Sequence, residues 1–167
     1  MKYPAFLLLL LLIIWHCTQP AETPKTIEKP DLYAQITDTT ALFDSVMAVR
    51  LGADERGMKP YVMAFLKSGP NRGQDSITAA NLQKAHLENI NKMAEAGKLV
   101  MAGPFMDDGN IRGIYIFNVA TLEEARALTE TDPSVQAGRL VMELHPWYGP
   151  AALPLLTPLY RRLERKN

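Results

Sequence analysis

The stretch that decides the fold is SITAANLQKAHLENINKMAEA, residues 76–96, whose apolar residues recur at the spacing of an α-helix. Asp75 or Ser76 can cap the first turn, and Gly97 can close the last turn in a left-handed conformation. The apolar stripe of this helix consists of Ala79, Leu82, His86, Ile90 and Met93. The sequence therefore predicts a long amphipathic helix that presents one histidine, His86, to the core.

Strand-like segments surround this helix and a second one. Strands are predicted at residues 61–67, 99–102, 111–119 and 140–145, and the second helix at residues 122–130. Asp108 and Gly109 predict a hairpin turn, and Thr121 with Glu124 forms a capping box before the second helix. The order strand, helix, two strands, helix, strand predicts a ferredoxin-like split βαβ arrangement, an α+β fold with a four-stranded antiparallel sheet.

The predicted sheet has two apolar faces, because its first and third strands carry apolar residues on both of their alternating sides. Two helices can cover only one face, and the other would be a large exposed apolar patch. A homodimer packed sheet against sheet, as in a dimeric α+β barrel, would cover it. The alternative is that the N-terminal element or the C-terminal tail folds over this face. The molecular mass in dilute solution distinguishes the two.

The N-terminus has the pattern of an export signal. Lys2 precedes AFLLLLLLIIW, residues 5–15, an apolar run that is short for a membrane span but typical of a signal-peptide core. Cys17, the one cysteine, stands where a lipoprotein signal carries its lipidated residue, although the preceding His16 is larger than usual there. Lipidation at Cys17, cleavage nearby without a lipid, and an uncleaved anchor are the alternatives. All three predict an exported protein, periplasmic or membrane-anchored.

Composition and patterning divide the chain and exclude several kinds of function. The predicted segments are a signal peptide (1–17), a flexible tether (18–41), a short helix and turn (42–58), a folded domain (59–150) and a C-terminal tail (151–167). A formal net charge of zero argues against nucleic-acid binding. Three histidines, one cysteine and no clustered carboxylates argue against a dedicated metal site, and the sequence contains no phosphate-binding P-loop.

At residues 61–150 the chain resembles the YCII-related family of small dimeric α+β barrel proteins. The motifs that carry the resemblance are YVMAFLKSGP, KAHLENI, GKLVMAGPF, RGIYIFNV, EEARAL, and DPSVQAGR running into ELHPWYG. Their order and spacing are more specific than any single motif. The resemblance implies a pocket in each subunit, no metal or organic cofactor, and a His and Asp pair as the reactive centre, which falls on His86 and Asp132.

His86 and Asp132 each have two interpretations from the residues alone. A histidine on the core stripe must find a hydrogen-bond partner, because an unpaired buried polar group costs about 1–3 kcal/mol. It is then either a satisfied packing residue or, with a carboxylate at its second nitrogen, a general acid or base. Asp132 is either that carboxylate or the start of an Asp-Pro turn, bonded to local amides.

Other polar residues are weaker candidates for contact with a substrate. Arg112, beside the hairpin turn, could meet an anionic ligand or lie in solvent. His145 and Trp147, at and just past the end of the fourth strand, could line the pocket or seal the end of the sheet. Asn71 and Arg72 lie in a loop that could approach a ligand.

Two functional hypotheses follow. The first is an exported enzyme in which His86 and Asp132 move a proton on a small substrate, driving elimination, isomerisation or hydrolysis. The second is a membrane-tethered, dimeric ligand-binding or accessory module in which the same pair is structural.

Overall fold

The computed structural model describes residues 31–38, 40 and 42–165. The predicted signal segment and Cys17 lie outside these residues. The chain divides into two compact units, Met1–Leu42 and Phe43–Asn167. Within the predicted tether, the first unit contains a short helix, α1 (Leu32–Thr37), capped by the Asp31 carboxylate. In the described part of the chain, no helix is both long and apolar enough to cross a membrane.

The second unit has the α+β fold that the sequence predicts. Its elements are α2 (Ser45–Leu51), β1 (Met58–Ser68), α3 (Ser76–Glu95), β2 (Leu99–Pro104), β3 (Ile111–Phe117), α4 (Leu122–Thr129), α5 (Pro133–Gln136), β4 (Leu140–Pro150), a 3₁₀ turn (Leu153–Leu155) and α6 (Leu156–Leu163). The strands form one antiparallel sheet in the order β2-β3-β1-β4. This order is that of a ferredoxin-like fold, and the predicted fold class is confirmed.

Helix α3 begins and ends close to its predicted limits. The Asp75 carboxylate accepts hydrogen bonds from two amides of the first turn, both at 3.0 Å. At the other end Gly97 has a φ of 68°, a left-handed conformation that favours glycine. With both ends fixed, α3 buries His86 and Met93. The histidine therefore lies on the packed face of the helix, as predicted.

Helices α3 and α4 cover one face of the sheet. The buried residues of this core are Val62, Ala64, Leu66, Met93, Leu99, Tyr115, Phe117, Val119 and Ala125. Burying each large side chain stabilises the fold by about 1.5–3 kcal/mol. Tyr115 is the residue here that carries a hydroxyl, and the core brings that hydroxyl to the α3 side of the sheet.

The chain's own tail covers part of the opposite face. Tyr61, Val100 and Ile116 form a second buried cluster, against which Leu153 of the 3₁₀ turn and Trp147 of β4 pack. Coverage by the C-terminal tail was one of the two alternatives for this face, and the structure shows it for this cluster. The homodimer stays a prediction.

Strand β4 is longer than predicted, so Trp147 lies within the strand rather than past its end. Its pairing with β1 runs from Leu140 opposite Ser68 to Pro150 opposite Met58. The strand contains Pro146 and ends at Pro150, and these prolines are tolerated because β4 is an edge strand, where one side of the backbone needs no partner.

Candidate active site

His86 and Asp132 form a hydrogen-bonded pair inside the second unit. The Nδ1 atom of His86 lies 2.6 Å from the Oδ2 atom of Asp132, although the two residues are 46 positions apart in the chain. His86 is 7% exposed and Asp132 is 0% exposed. A hydrogen bond to a carboxylate is strong, and water is excluded from competing for this one. The pair therefore fixes the position of the imidazole ring.

Asp132 holds its position because it is also a helix cap. Its Oδ1 atom accepts a hydrogen bond from the Ser134 amide at 2.8 Å, at the start of α5. Pro133 follows at the first helical position, where its fixed φ suits a helix and its missing N–H is not needed. Both interpretations of this aspartate are therefore structurally correct: one oxygen starts the turn and the other holds His86.

The segment around Asp132 is fastened to α3 on both sides. The Thr131 hydroxyl donates to the Asn89 side-chain oxygen at 3.2 Å, and the Ser134 hydroxyl donates to the Leu82 carbonyl at 3.3 Å. Leu82 and Asn89 share a face of α3 with His86, because residues three and four apart are neighbours on a helix. These contacts align Asp132 with His86.

Tyr115 completes a chain of three polar groups, and sequence reasoning missed it. Its hydroxyl lies 3.3 Å from the Nε2 atom of His86, and the two rings stack at 6.2 Å between centroids with 19° between planes. Burial, and secondarily the Asp132 carboxylate, raises the pKa of Tyr115 far above its usual value, so the phenol stays protonated. Because an ionised carboxylate can only accept, a neutral His86 donates from Nδ1 to Asp132 and leaves Nε2 to accept from the Tyr115 hydroxyl.

A cavity of about 780 Å³ opens beside this group. Its apolar lining is Leu66, Leu87, Ile90, Leu99, Val100, Met101 and Leu140, and its ionisable lining is Arg72, Arg112, Arg139, His86, Tyr115 and Tyr160. The cavity is open to solvent, since Gln83, Leu87 and Asn91 of α3 line it and are themselves exposed. Its volume falls within the range of small-molecule sites in proteins.

The C-terminal helix forms one wall of this cavity. Leu156, Thr157 and Tyr160 of α6 line it opposite α3. An ion pair at 3.7 Å between Arg161 of α6 and Glu95 of α3 joins the two walls. The predicted tail is thus part of the candidate site.

Arg112 lines the same cavity as His86, and its contact with a substrate stays a prediction. It is half-buried near the start of β3, and its Nη1 atom donates to the Gly109 carbonyl at 3.1 Å.

His145 and Trp147 lie on the opposite face of the sheet, so the interpretation that they line the pocket of His86 is wrong. They pair with Met63 and Tyr61 of β1, whose side chains point away from α3. His145 contacts Glu143, with 2.8 Å between Nε2 and Oε1, and Trp147 packs on the Tyr61 ring at 5.8 Å. Trp147 covers the core, which is the sealing role that the sequence also allowed.

The fold and this geometry define a small α+β domain with a buried histidine and aspartate pair beside a solvent-open cavity. Among the residues that the structure describes, no three His, Cys, Asp or Glu side chains cluster as a metal site. The family model of the YCII-related domain matches residues 62–148, and the chain belongs to this family.

A similar solved structure is the 5-chloro-2-hydroxyhydroquinone dehydrochlorinase of Burkholderia phenoliruptrix AC1100, in complex with 2,5-dihydroxybenzoquinone. It is 18% identical, has a TM-score of 0.39, and the alignment covers 52% of this chain and 92% of that chain. No match was found among the curated proteins.

Proposed function

We propose that this chain is an exported, cofactor-independent enzyme in which His86, oriented by Asp132, is the general acid–base for a small substrate bound in the cavity. The observation that carries the proposal is the contact of 2.6 Å between Nδ1 and the buried Asp132 carboxylate. That contact leaves the lone pair of Nε2 as the proton acceptor beside the cavity. A positioned histidine of this kind contributes about 10²- to 10⁴-fold to a proton-transfer step.

The proposed reaction begins with proton transfer from the substrate to Nε2. The imidazolium that forms is stabilised by the adjacent carboxylate, which keeps its own charge. In an isomerisation the proton returns to a different atom of the same substrate. In an elimination the electron pair of the broken bond expels the leaving group, and the proton passes to solvent. In a hydrolysis Nε2 instead takes a proton from the attacking water as its oxygen bonds to the substrate, and the imidazolium returns that proton to the leaving group as the scissile bond breaks.

The Tyr115 hydroxyl occupies the Nε2 lone pair, but at 3.3 Å this bond is long for a hydroxyl donor. A substrate hydroxyl or an acidic C–H can take its place. Hydrogen bonds at catalytic groups often tighten only when substrate is bound.

Export rests on the sequence alone, on the apolar run at residues 5–15 ahead of Cys17. Fractionation of host cells tests export, and recovery of the chain in the cytosolic fraction would refute it. Mass spectrometry of the recovered chain then distinguishes lipidation, plain cleavage and an uncleaved anchor.

A non-catalytic ligand-binding module is the second candidate, and one observation favours it. Both ring nitrogens of His86 already have protein partners, Asp132 and Tyr115. A fully satisfied histidine is what a purely structural role requires.

His86→Ala separates the two candidates. Wild-type protein and the variant are assayed against a library of small lactones and halogenated phenols. We expect turnover of at least one compound that falls by about a hundredfold or more in the variant, because the proton acceptor is lost. The matched control is His145→Ala, a histidine on the opposite face, which should retain activity. If no compound shows turnover that depends on His86, the binding module is the better description.

Tyr115→Phe tests whether the Tyr115 hydroxyl only positions the His86 imidazole or also takes part in catalysis. The variant keeps the stacked ring and loses one hydrogen bond, so we expect a loss of about 1 kcal/mol in unfolding free energy and turnover within about tenfold of wild type. The control is Tyr61→Phe on the opposite face, whose hydroxyl donates to the Pro150 carbonyl at 2.9 Å. Urea unfolding and steady-state kinetics give both readouts. A loss of turnover as complete as in His86→Ala would make Tyr115 catalytic.

A further inference from the structure

Three arginines line the candidate cavity, and the described residues supply none of them with a carboxylate partner. They are Arg72, Arg112 and Arg139. The ion pairs among the described residues all involve other cations. No aspartate or glutamate of the described part of the chain lines the cavity. In a chain whose formal net charge is zero, the cavity therefore concentrates positive charge.

The topology explains why the three arginines share one cavity. Arg72 lies in the loop after β1, Arg112 is the second residue of β3, and Arg139 directly precedes β4. Antiparallel pairing places the end of β1 beside the starts of β3 and β4. All three side chains therefore belong to the same end of the sheet.

Among residues 31–165 that the structure describes, each arginine has only neutral hydrogen-bond partners, and these use one of its nitrogens. Arg72 donates to the Arg139 carbonyl at 3.3 Å, and Arg139 donates to the Gln74 side-chain oxygen at 2.9 Å. Arg112 uses one nitrogen, Nη1, on backbone carbonyls of the hairpin. A guanidinium has five N–H donors in a planar fork, which suits the two oxygens of a carboxylate.

The rest of the cavity lining is apolar and aromatic. Leu66, Ile90, Leu99 and Met101 lie with the stacked rings of Tyr115 and His86. Such a surface suits a ring or hydrocarbon body rather than a free inorganic anion.

From these observations we infer that the cavity recognises small organic anions, with an apolar or aromatic body on the leucine side and a carboxylate on the arginines. The inference rests on the proposed function in one respect: the cavity beside His86 must be the substrate site. To the proposed function the inference adds the class of substrate, which is an organic anion rather than an uncharged ring compound.

Equilibrium binding of benzoate and of its uncharged isostere benzamide tests the inference without turnover. We expect wild-type protein to bind benzoate about tenfold or more tightly than benzamide, because hydrogen bonds to charged groups are about twice as strong as neutral ones. In Arg72→Gln/Arg112→Gln/Arg139→Gln this preference should disappear. If the triple variant does not fold, the double variant Arg72→Gln/Arg112→Gln replaces it, because this variant keeps the contact between Arg139 and Gln74. We expect the double variant to lose most of the preference for benzoate.

The control is Arg126→Gln, an exposed arginine of α4 outside the cavity, which should bind like wild type. Equal affinity for benzoate and benzamide, binding of neither at millimolar concentration, or wild-type binding by the arginine variants would overturn the inference. Arginine-dependent binding without His86-dependent turnover would refute catalysis alone, and the converse result would refute the anion specificity alone.

Discussion

Asp132→Ala is expected to lower the unfolding free energy by about 3 kcal/mol and to abolish turnover that depends on His86. The substitution removes the acceptor of two buried donors, Nδ1–H of His86 and the Ser134 amide. Each buried donor left without a partner costs about 1–3 kcal/mol. Turnover should fall by about a hundredfold or more, since the imidazole loses its orientation and the charge that stabilises its cation. Urea unfolding and steady-state kinetics measure the two effects.

Asp132→Asn separates the functional role of this residue from its structural role. Its side-chain oxygen can still accept from the Ser134 amide, so the loss of stability should be much smaller. Its amide group donates towards His86, which forces the imidazole to carry its proton on Nε2 and removes the lone pair that faces the cavity. Turnover should therefore fall as far as in Asp132→Ala. Asp108→Ala, an exposed aspartate of the hairpin turn, is the control. An active Asp132→Asn variant would contradict the proposed mechanism.

Gly69→Ala is expected to cost about 3 kcal/mol of unfolding free energy, near the upper end of the usual range for overpacking. A Cβ atom there would lie well inside the van der Waals radii of the Gly138 carbonyl and the Arg139 carbonyl carbon. Both are backbone groups, and they cannot rotate away. The Gly69 amide also donates to the Arg139 carbonyl at 2.9 Å, so any relief of the clash breaks this bond.

The same substitution should weaken benzoate binding, because the close approach of these two segments positions Arg72 and Arg139. Gly73→Ala is a control in the same loop, where a Cβ atom has no neighbour within 4 Å. We expect it to be neutral or to stabilise by less than about 1 kcal/mol, by restricting the unfolded chain. If the two variants have equal stability, the close backbone contact at Gly69 does not support the site.

The sequence predicted the fold well where local signals agree with one another. In α3 the apolar stripe, the Asp75 cap and the closing Gly97 all indicate one helix, and tertiary packing preserved it. The contact between His86 and Asp132 could not come from spacing, since 46 positions separate the two residues and only the fold joins them. The family resemblance supplied the pairing.

The features that sequence reasoning missed depend on tertiary context. Tyr115 reads as one more apolar residue of β3, although its place on the helix-covered face and its need for a hydroxyl partner were available signals. Trp147 was predicted just past β4, because the apolar pattern does not show that pairing with β1 continues to Pro150. A proline such as Pro146 is compatible with that pairing only where no further strand follows, which the local sequence does not reveal. The role of α6 was hidden because a short amphipathic helix does not reveal which surface it packs against.

The wall that α6 contributes has an evolutionary consequence. The YCII-related match ends at residue 148, and α6 begins at Leu156. The hydrogen-bonded pair of His86 and Asp132 and part of the cavity surface are thus encoded in separate stretches of the chain. The two stretches can diverge at different rates during evolution. A match to the shared domain therefore does not determine which ligand a family member binds. Exchanging tails between family members offers a way to alter ligand selection while leaving the chemistry in place.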